Sequence, residues 1–134
     1  MSYAEAHNEI REHLFMSWAD ATPIAWPNVN FTPPNPQSSW IRLSISDGDS
    51  NQMELGSNPA TIRYAGIIYV QIFTRLDIGD AVALQLADTV KQIFNNWCGV
   101  SVRCRAAKIK VIGNDGNGWY QVNVVVPFYR DERL

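Results

Sequence analysis

The chain has 134 residues, 46% of them hydrophobic and 18% charged, with a formal net charge of -2. This composition excludes a disordered chain and bounds the molecule to one ordinary domain, long enough to bury a core without disulfide or metal staples. The slightly acidic balance argues against a protein whose main task is to grip phosphate backbones.

Ser2 and Glu5 form a capping-box pattern, and Ala6, Ile10, Leu14 and Trp18 then recur at every fourth position, predicting a first helix with one buried stripe that ends near Ala19. The opening "MSYAEAHNEIREHL" has neither a basic start nor an apolar signal core, and no apolar run nears membrane-spanning length. The expectation is a soluble, cytoplasmic product without membrane contact. Prolines at 23, 27, 33, 34 and 36 deny the next segment helical hydrogen bonds, so residues 20–38 read as an extended arm. Trp26 and Phe31 are too large to be left in water and are expected to pin the arm, to its own domain in preference to a neighbour.

From Ser39 to Ser46, Ile41, Leu43 and Ile45 alternate with Trp40, Arg42 and Ser44, the period of a strand with one buried face. Asp47 to Asn58 then reads as a long polar loop. The following strand spans about Thr61 to Phe73. From Ile67 onward it is β-branched or aromatic apart from Gln71, as in a strand covered on both faces. Arg63 and Gly66 do not belong in such a run. Arg63 is a long cation at its mouth, and Gly66 marks a bulge or a close backbone approach.

A turn through Asp77 and Gly79 leads into a second amphipathic helix, from about Asp80 to Trp97. Its inward positions are Ala83, Ala87, Val90, Phe94 and Trp97, with Gly99 as its stop. The C-terminal third reads as a β-meander. "VSVRCR" and "KIKVIG" alternate apolar and basic residues, "GNDGNG" is a turn signal, and "WYQVNVVVPFY" puts Val122, Val124, Val126 and Phe128 on one face. The order predicts a single α+β domain, an antiparallel sheet with two main helices packed on one face.

The chain is poor in catalytic constellations. His7 and His13 lie six residues apart on one helix and point in different directions, and Glu9 with His13 reads as a solvated helix face. No G-x-S-x-G, H-E-x-x-H, C-x-x-C or phosphate-loop motif occurs. Two cysteines fit a reducing compartment better than a disulfide framework. Cys98 sits at the unactivating end of a helix and reads as buried and inert, while strand alternation sends Cys104 away from Arg103 and Arg105. The reading is a non-enzyme without a cofactor. Asp47, Asp49 and Asn51 alternate like the start of a calcium loop, but Gln52 stands where glycine is needed and Asn58 where the bidentate glutamate is needed. A solvated loop is favoured, and a weak hydrated site shared between subunits, with Glu54 adding an oxygen, stays open.

Arg103, Arg105, Lys108 and Lys110 are the one concentration of charge, placed by their spacing on one face of a hairpin. A solvated sheet face comes first as an explanation, and a contact surface for an acidic partner second. A nucleic-acid-binding module built on residues 103–110 is a more distant alternative, since no aromatic residues interleave.

Taken together, "TPIAWPNVNFTPP", "WIRLSIS", "IRYAGIIYVQIFTRLDIGDAVALQLADTVKQIF" and "IGNDGNGWYQVNVVVPFY" resemble the phage tail terminator-like, or tail completion, family, and they cover nearly all of the chain in order. The most specific parts are Arg63-x-x-Gly66, the Gly79 turn into the helix with Leu86-Ala87-Asp88, and Gly118-Trp119-Tyr120-Gln121-Val122. The resemblance implies a small α+β protomer of a phage or prophage virion tail, assembled in the bacterial host cytoplasm. It further implies a homo-oligomeric ring, commonly hexameric, which caps the finished tail tube and faces head-completion or connector proteins, with DNA only passing through. A head-tail connector or neck completion protein is the nearest alternative. In a ring, Asp47, Asp49, Glu54, Arg63 and Gly66 are expected at the subunit boundary. There Arg63 pairs with a carboxylate either across the boundary or within its own chain.

Overall fold

The apolar period of the N-terminal helix decides where it lies. In the computed structural model, which describes residues 3–52 and 61–133, helix α1 (Tyr3–Trp18) buries Ala6, Ile10, Leu14 and Trp18, the four residues of the predicted stripe. It stops where Ala19 and Asp20 turn to left-handed φ values of 52° and 57°. Ser2, the expected cap, lies outside the described residues.

The arm that follows touches the sheet through β1 (Ile24–Ala25), which runs parallel to the start of β2 (Trp40–Gln52). Phe31 packs on Trp40 with ring centroids 4.8 Å apart, and Trp26 packs against the main core, so both aromatics pin the arm to its own domain. β2 runs past the expected limit of Ser46 and pairs antiparallel with β3 (Thr61–Arg75) out to Gln52, across an irregularity between Asp47 and Ser50. Residues 47–52 are therefore strand, not loop. Cross-strand hydrogen bonds with β3 override their polar composition. The rest of the expected loop lies outside the described residues.

β3 pairs on its other side with β6 (Trp119–Arg133), which makes it the centre of the sheet. Between them in sequence come α2 (Ala81–Phe94), β4 (Arg103–Cys104) and β5 (Lys108–Asn114). Among the described residues the sheet has six strands, in the order β1-β2-β3-β6-β4, with β5 also on β6. Helix α2 ends earlier than expected. Asn95 is its C-terminal cap and Asn96 takes the left-handed φ of 56°, so this asparagine does the work anticipated for Gly99.

The register explains the core. Ile41, Leu43 and Ile45 of β2 stand opposite Ile72, Val70 and Ile68 of β3, which in turn face Val122, Val124 and Val126 of β6. That face and the buried stripes of both helices form one cluster, closed by Phe94 and Phe128. The opposite, outer face carries Ile67, Tyr69 and Gln71, all partly exposed, and is closed only at one end, by Trp40, Phe73 and Trp119. The expectation that both faces of β3 are covered thus holds only for that aromatic end.

Candidate functional site

Because β3 and β6 pair over their whole lengths, residues more than sixty positions apart meet. Arg63 stands directly opposite Asp131 on the outer face, and donates Nε to Oδ1 at 2.8 Å and a terminal nitrogen to Oδ2 at 3.0 Å. This bidentate fork is the strong geometry for a guanidinium and a carboxylate. The hydrogen bond from Arg63 holds the Asp131 carboxyl below its ordinary range, with the charges of Arg63 and Arg103 acting in the same sense. It also raises the Arg63 pKa. Of the two pairings expected for Arg63, the structure holds the one within the chain.

The Arg63 guanidinium also lies 3.9 Å from the ring centroid of Tyr129, and that of Arg105 lies 5.0 Å from it. These groups border an open groove of about 530 Å³, whose floor includes Ala65, Gly66 and Pro127. Gly66 is in regular register on both sides, opposite Asp47 and Phe128. The irregularity lies in β2 across from it, so Gly66 itself is not a bulge. Its role is to make room: a Cβ here would lie 2.7 Å from the Phe128 ring and 2.8 Å from the carbonyl oxygen of Ser46.

Asp47, expected at a subunit boundary, is bound by its own first helix. His7 Nε2 lies 3.0 Å from its Oδ2, and Tyr3, stacked on His7, has its pKa raised chiefly by a hydrogen bond to the same carboxylate. Nearby, the buried Arg130 lies over the ring of Tyr64 and pairs with Glu132. The backbone of Asp49 belongs to β2, and Glu54 lies outside the described residues.

The four basic residues are all exposed, but they do not form a hairpin with one another. β4 and β5 both run antiparallel to β6, one after the other, as a single interrupted edge. Arg103 stands opposite Tyr129, Lys108 opposite Val125 and Lys110 opposite Asn123, so the row lies on the outer face over about 20 Å. The aromatic partner sought in their own segment is supplied by β6, as Tyr129.

Glu9 and His13 are not a solvated face. The Glu9 carboxylate accepts from Ser101 N at 3.0 Å, Ser101 Oγ at 2.8 Å and Val102 N at 3.2 Å, while His13 stacks on Trp97 at 3.8 Å and bonds the Ile93 carbonyl. Gly99 leaves room for this carboxylate, since a Cβ there would collide with Glu9 Oε1 and push it off its partners. Cys98 is exposed, against the expectation of burial, because the chain leaves α2 before reaching it. Cys104 is buried, which pushes its thiol up to about 12.

Sequence reasoning missed Tyr3, Tyr129, Arg130 and Asp131. The usable signal was the charged "RDER" run, which continues the alternation of the last strand past Tyr129.

A family model described as phage tail terminator protein matches residues 7–128. No curated protein matches the chain in sequence. One solved structure superposes with a TM-score of 0.71 at 21% identity, over 97% of this chain and 96% of its own, a likeness of fold alone. The family match spans almost the whole domain, and the chain therefore belongs to the phage tail terminator family, structural proteins of the virion tail rather than enzymes.

Proposed function

We propose that the chain closes into a homo-oligomeric ring, hexameric in its working form, on the end of the completed tail tube. There it ends polymerisation and forms the tail side of the head-tail joint. The observation that carries this reading is the outer face of the sheet. Among the described residues no element of the chain covers Ile67, Tyr69, Val125, Pro127 and Tyr129, which are only partly exposed and mostly apolar. A neighbouring copy or the tube protein covers that face in the assembly, and Arg63 enters the contact already paired with Asp131. A cyclic assembly needs two different patches on each subunit, and closure prevents the ring from continuing the polymer.

Head-completion proteins meet the other rim, and DNA only passes through. The test is the assembly mass by analytical ultracentrifugation, followed by addition to purified, growing tubes. The expected result is a six-copy species that stops elongation. A protein that stays monomeric in solution and on tube ends overturns the reading.

A further inference from the structure

The outer face of the sheet is charged in one sense. Arg42, Gln71, Asn123 and Lys110 stand side by side in one row across four strands. From that row to the Arg63–Asp131 pair, the face carries Arg42, Arg63, Arg103, Arg105, Lys108 and Lys110, against Asp131 as the one carboxylate among the described side chains. The chain as a whole has a net charge of -2, so this excess is local to the face. Strand spacing puts Arg42 and Lys110 about 14 Å apart, as two basic rims. Tyr69, Val125, Ile67 and Pro127 lie between the rims, on β3 and β6.

The two guanidiniums beside Tyr129 differ in what they hold. Arg63 is forked onto Asp131 at 2.8 and 3.0 Å. Arg105 lies 5.0 Å from the same ring, is exposed, and among the described residues has no carboxylate within ion-pair distance. It borders the groove of about 530 Å³, whose floor of Ala65, Gly66 and Pro127 leaves space for an incoming side chain. A guanidinium offers a planar fork of donors that matches the two oxygens of a carboxylate. Arg105 therefore presents an unused fork at the side of a groove, on a strand fixed by the bond from its own N–H to the Pro127 carbonyl at 2.8 Å.

We propose that this face takes an acidic protein other than this chain, one of whose carboxylates enters the groove and accepts from Arg105 as Asp131 accepts from Arg63. Apolar side chains of that partner cover Ile67 and Pro127, and further acids meet Lys108 and Lys110. The inference rests on the reading above that the outer face is a contact surface, and it assigns that face to the tube end and not to a neighbouring copy. A second copy has few carboxylates to offer. Those of Glu9, Asp47, Asp115, Asp131 and Glu132 are engaged within the chain. Glu12 shares its groove with Arg11, Asp88 stands one turn from Lys91, and the described residues gather no three acidic side chains closely enough to hold an ion. A nucleic acid suits the cations but not the floor. Ile67, Val125 and Pro127 gain nothing from a phosphate chain, and the Tyr129 ring already carries two guanidiniums where a base would stack. An apolar centre with Tyr and Arg beside it and charges at the rim is the anatomy of a protein contact.

The experiment compares Arg105→Ala, Arg105→Lys and the double variant Lys108→Ala with Lys110→Ala against wild type. Assembly mass is measured by analytical ultracentrifugation, and binding to purified tail tubes over a series of salt concentrations. All three positions are exposed, so the variants are expected to fold, with circular dichroism as the check. Every variant is expected to keep the wild-type mass. Arg105→Ala should bind tubes roughly a hundredfold more weakly, and Arg105→Lys should fall between, because an ammonium keeps the charge without the fork. The double variant should chiefly flatten the salt dependence. If Arg105→Ala lowers the assembly mass, the face is a contact between copies, and the inference is overturned while the ring stands. If it keeps both mass and tube affinity, Arg105 anchors nothing and the inference is overturned. If a short DNA duplex binds at the same salt and is lost in the same variants, the occupant is a nucleic acid and the inference is again overturned. If wild type neither assembles nor binds tubes, the ring reading falls and this inference with it.

Discussion

Replacing Glu9 by alanine tests the clearest departure of this structure from its sequence. The carboxylate accepts hydrogen bonds from two backbone N–H groups, Ser101 and Val102, and from the Ser101 hydroxyl. Ser101 is 8% and Val102 0% exposed, so neither amide has ready access to bulk water. An orphaned buried N–H costs roughly 1–3 kcal/mol, and the hydroxyl can rotate toward solvent at little cost. Water entering the space above Gly99 recovers part of the loss, which leaves a net destabilisation of about 2–3 kcal/mol. That is a large share of the roughly 5–15 kcal/mol that holds a domain together, and it corresponds to a melting point lowered by about 6–12 °C. Glu9→Gln keeps one acceptor oxygen and should fall between wild type and alanine. The assay is urea unfolding followed by circular dichroism at one fixed protein concentration, because assembly adds to apparent stability. Ser17→Ala, at an exposed position of the same helix, is the control, expected within about 0.5 kcal/mol of wild type. If Glu9→Ala is no less stable than that control, the tie between α1 and the 99–102 segment contributes nothing.

Gly66→Ala forces a Cβ to 2.7 Å from the Phe128 ring and 2.8 Å from a backbone oxygen that cannot swing aside, and should cost roughly 1–3 kcal/mol in the same unfolding assay. A variant as stable as wild type would mean that Phe128 reseats freely. Arg63→Ala should cost about 1 kcal/mol or less in an unassembled protomer, because Arg63 and Asp131 remain 27% and 35% exposed. The Asp131 pKa is lowered in the folded state, so the pair stabilises fully above the unfolded carboxylate value of about 4 and loses its effect as pH falls through the lower folded value. A gap between wild type and variant that widens on acidification contradicts this sign. Thiol titration of native protomers should count one fast group per chain, the exposed Cys98, and a second only on unfolding, because Cys104 is 6% exposed with its pKa pushed up to about 12. Two fast native thiols would refute the placement of β4.

What the sequence made legible was what repeats locally. The stripe Ala6, Ile10, Leu14, Trp18 has a period of four and the row Val122, Val124, Val126, Phe128 a period of two. Both are set by the geometry of a single element, and the structure buries all eight residues. The helix stop was misread because glycine and asparagine compete for the left-handed position, and Asn96 comes first along the chain. The extent of β2 was misread because Asp47 to Gln52 look like a loop until β3 supplies their hydrogen bonds. The basic row was seen as residues but not as architecture. Nothing within 103–110 states that both strands pair with β6 and not with each other. Glu9 was read as solvated because its partners, Ser101 and Val102, lie more than ninety residues away.

The same distance in sequence accounts for the two residues of β3 that seemed out of place. Arg63 and Gly66 are three positions apart and so point to opposite faces, and their cross-strand partners on β6, Asp131 and Phe128, are also three apart. One registered strand pair therefore explains both. The guanidinium is there because Asp131 stands opposite it on the outer face, and the glycine because the Phe128 ring needs its space on the inner face. Neither residue requires a neighbouring subunit, although both had pointed to one. The reading of a partner rests instead on surfaces that the chain leaves uncovered among the described residues: the partly exposed outer face, the exposed Val111 and Ile112 of β5, and the exposed Phe15 and Met16 of α1. Such surfaces carry no rare residue and no motif, and the ring proposed above asks for none, since a closed contact between copies needs complementary shape and charge and not a reactive group at one point. Membership of this structural family is accordingly read from a match along nearly the whole chain, residues 7–128, and not from a local motif. In the proposed ring its contacts come as pairs of different patches on each subunit, each without meaning alone.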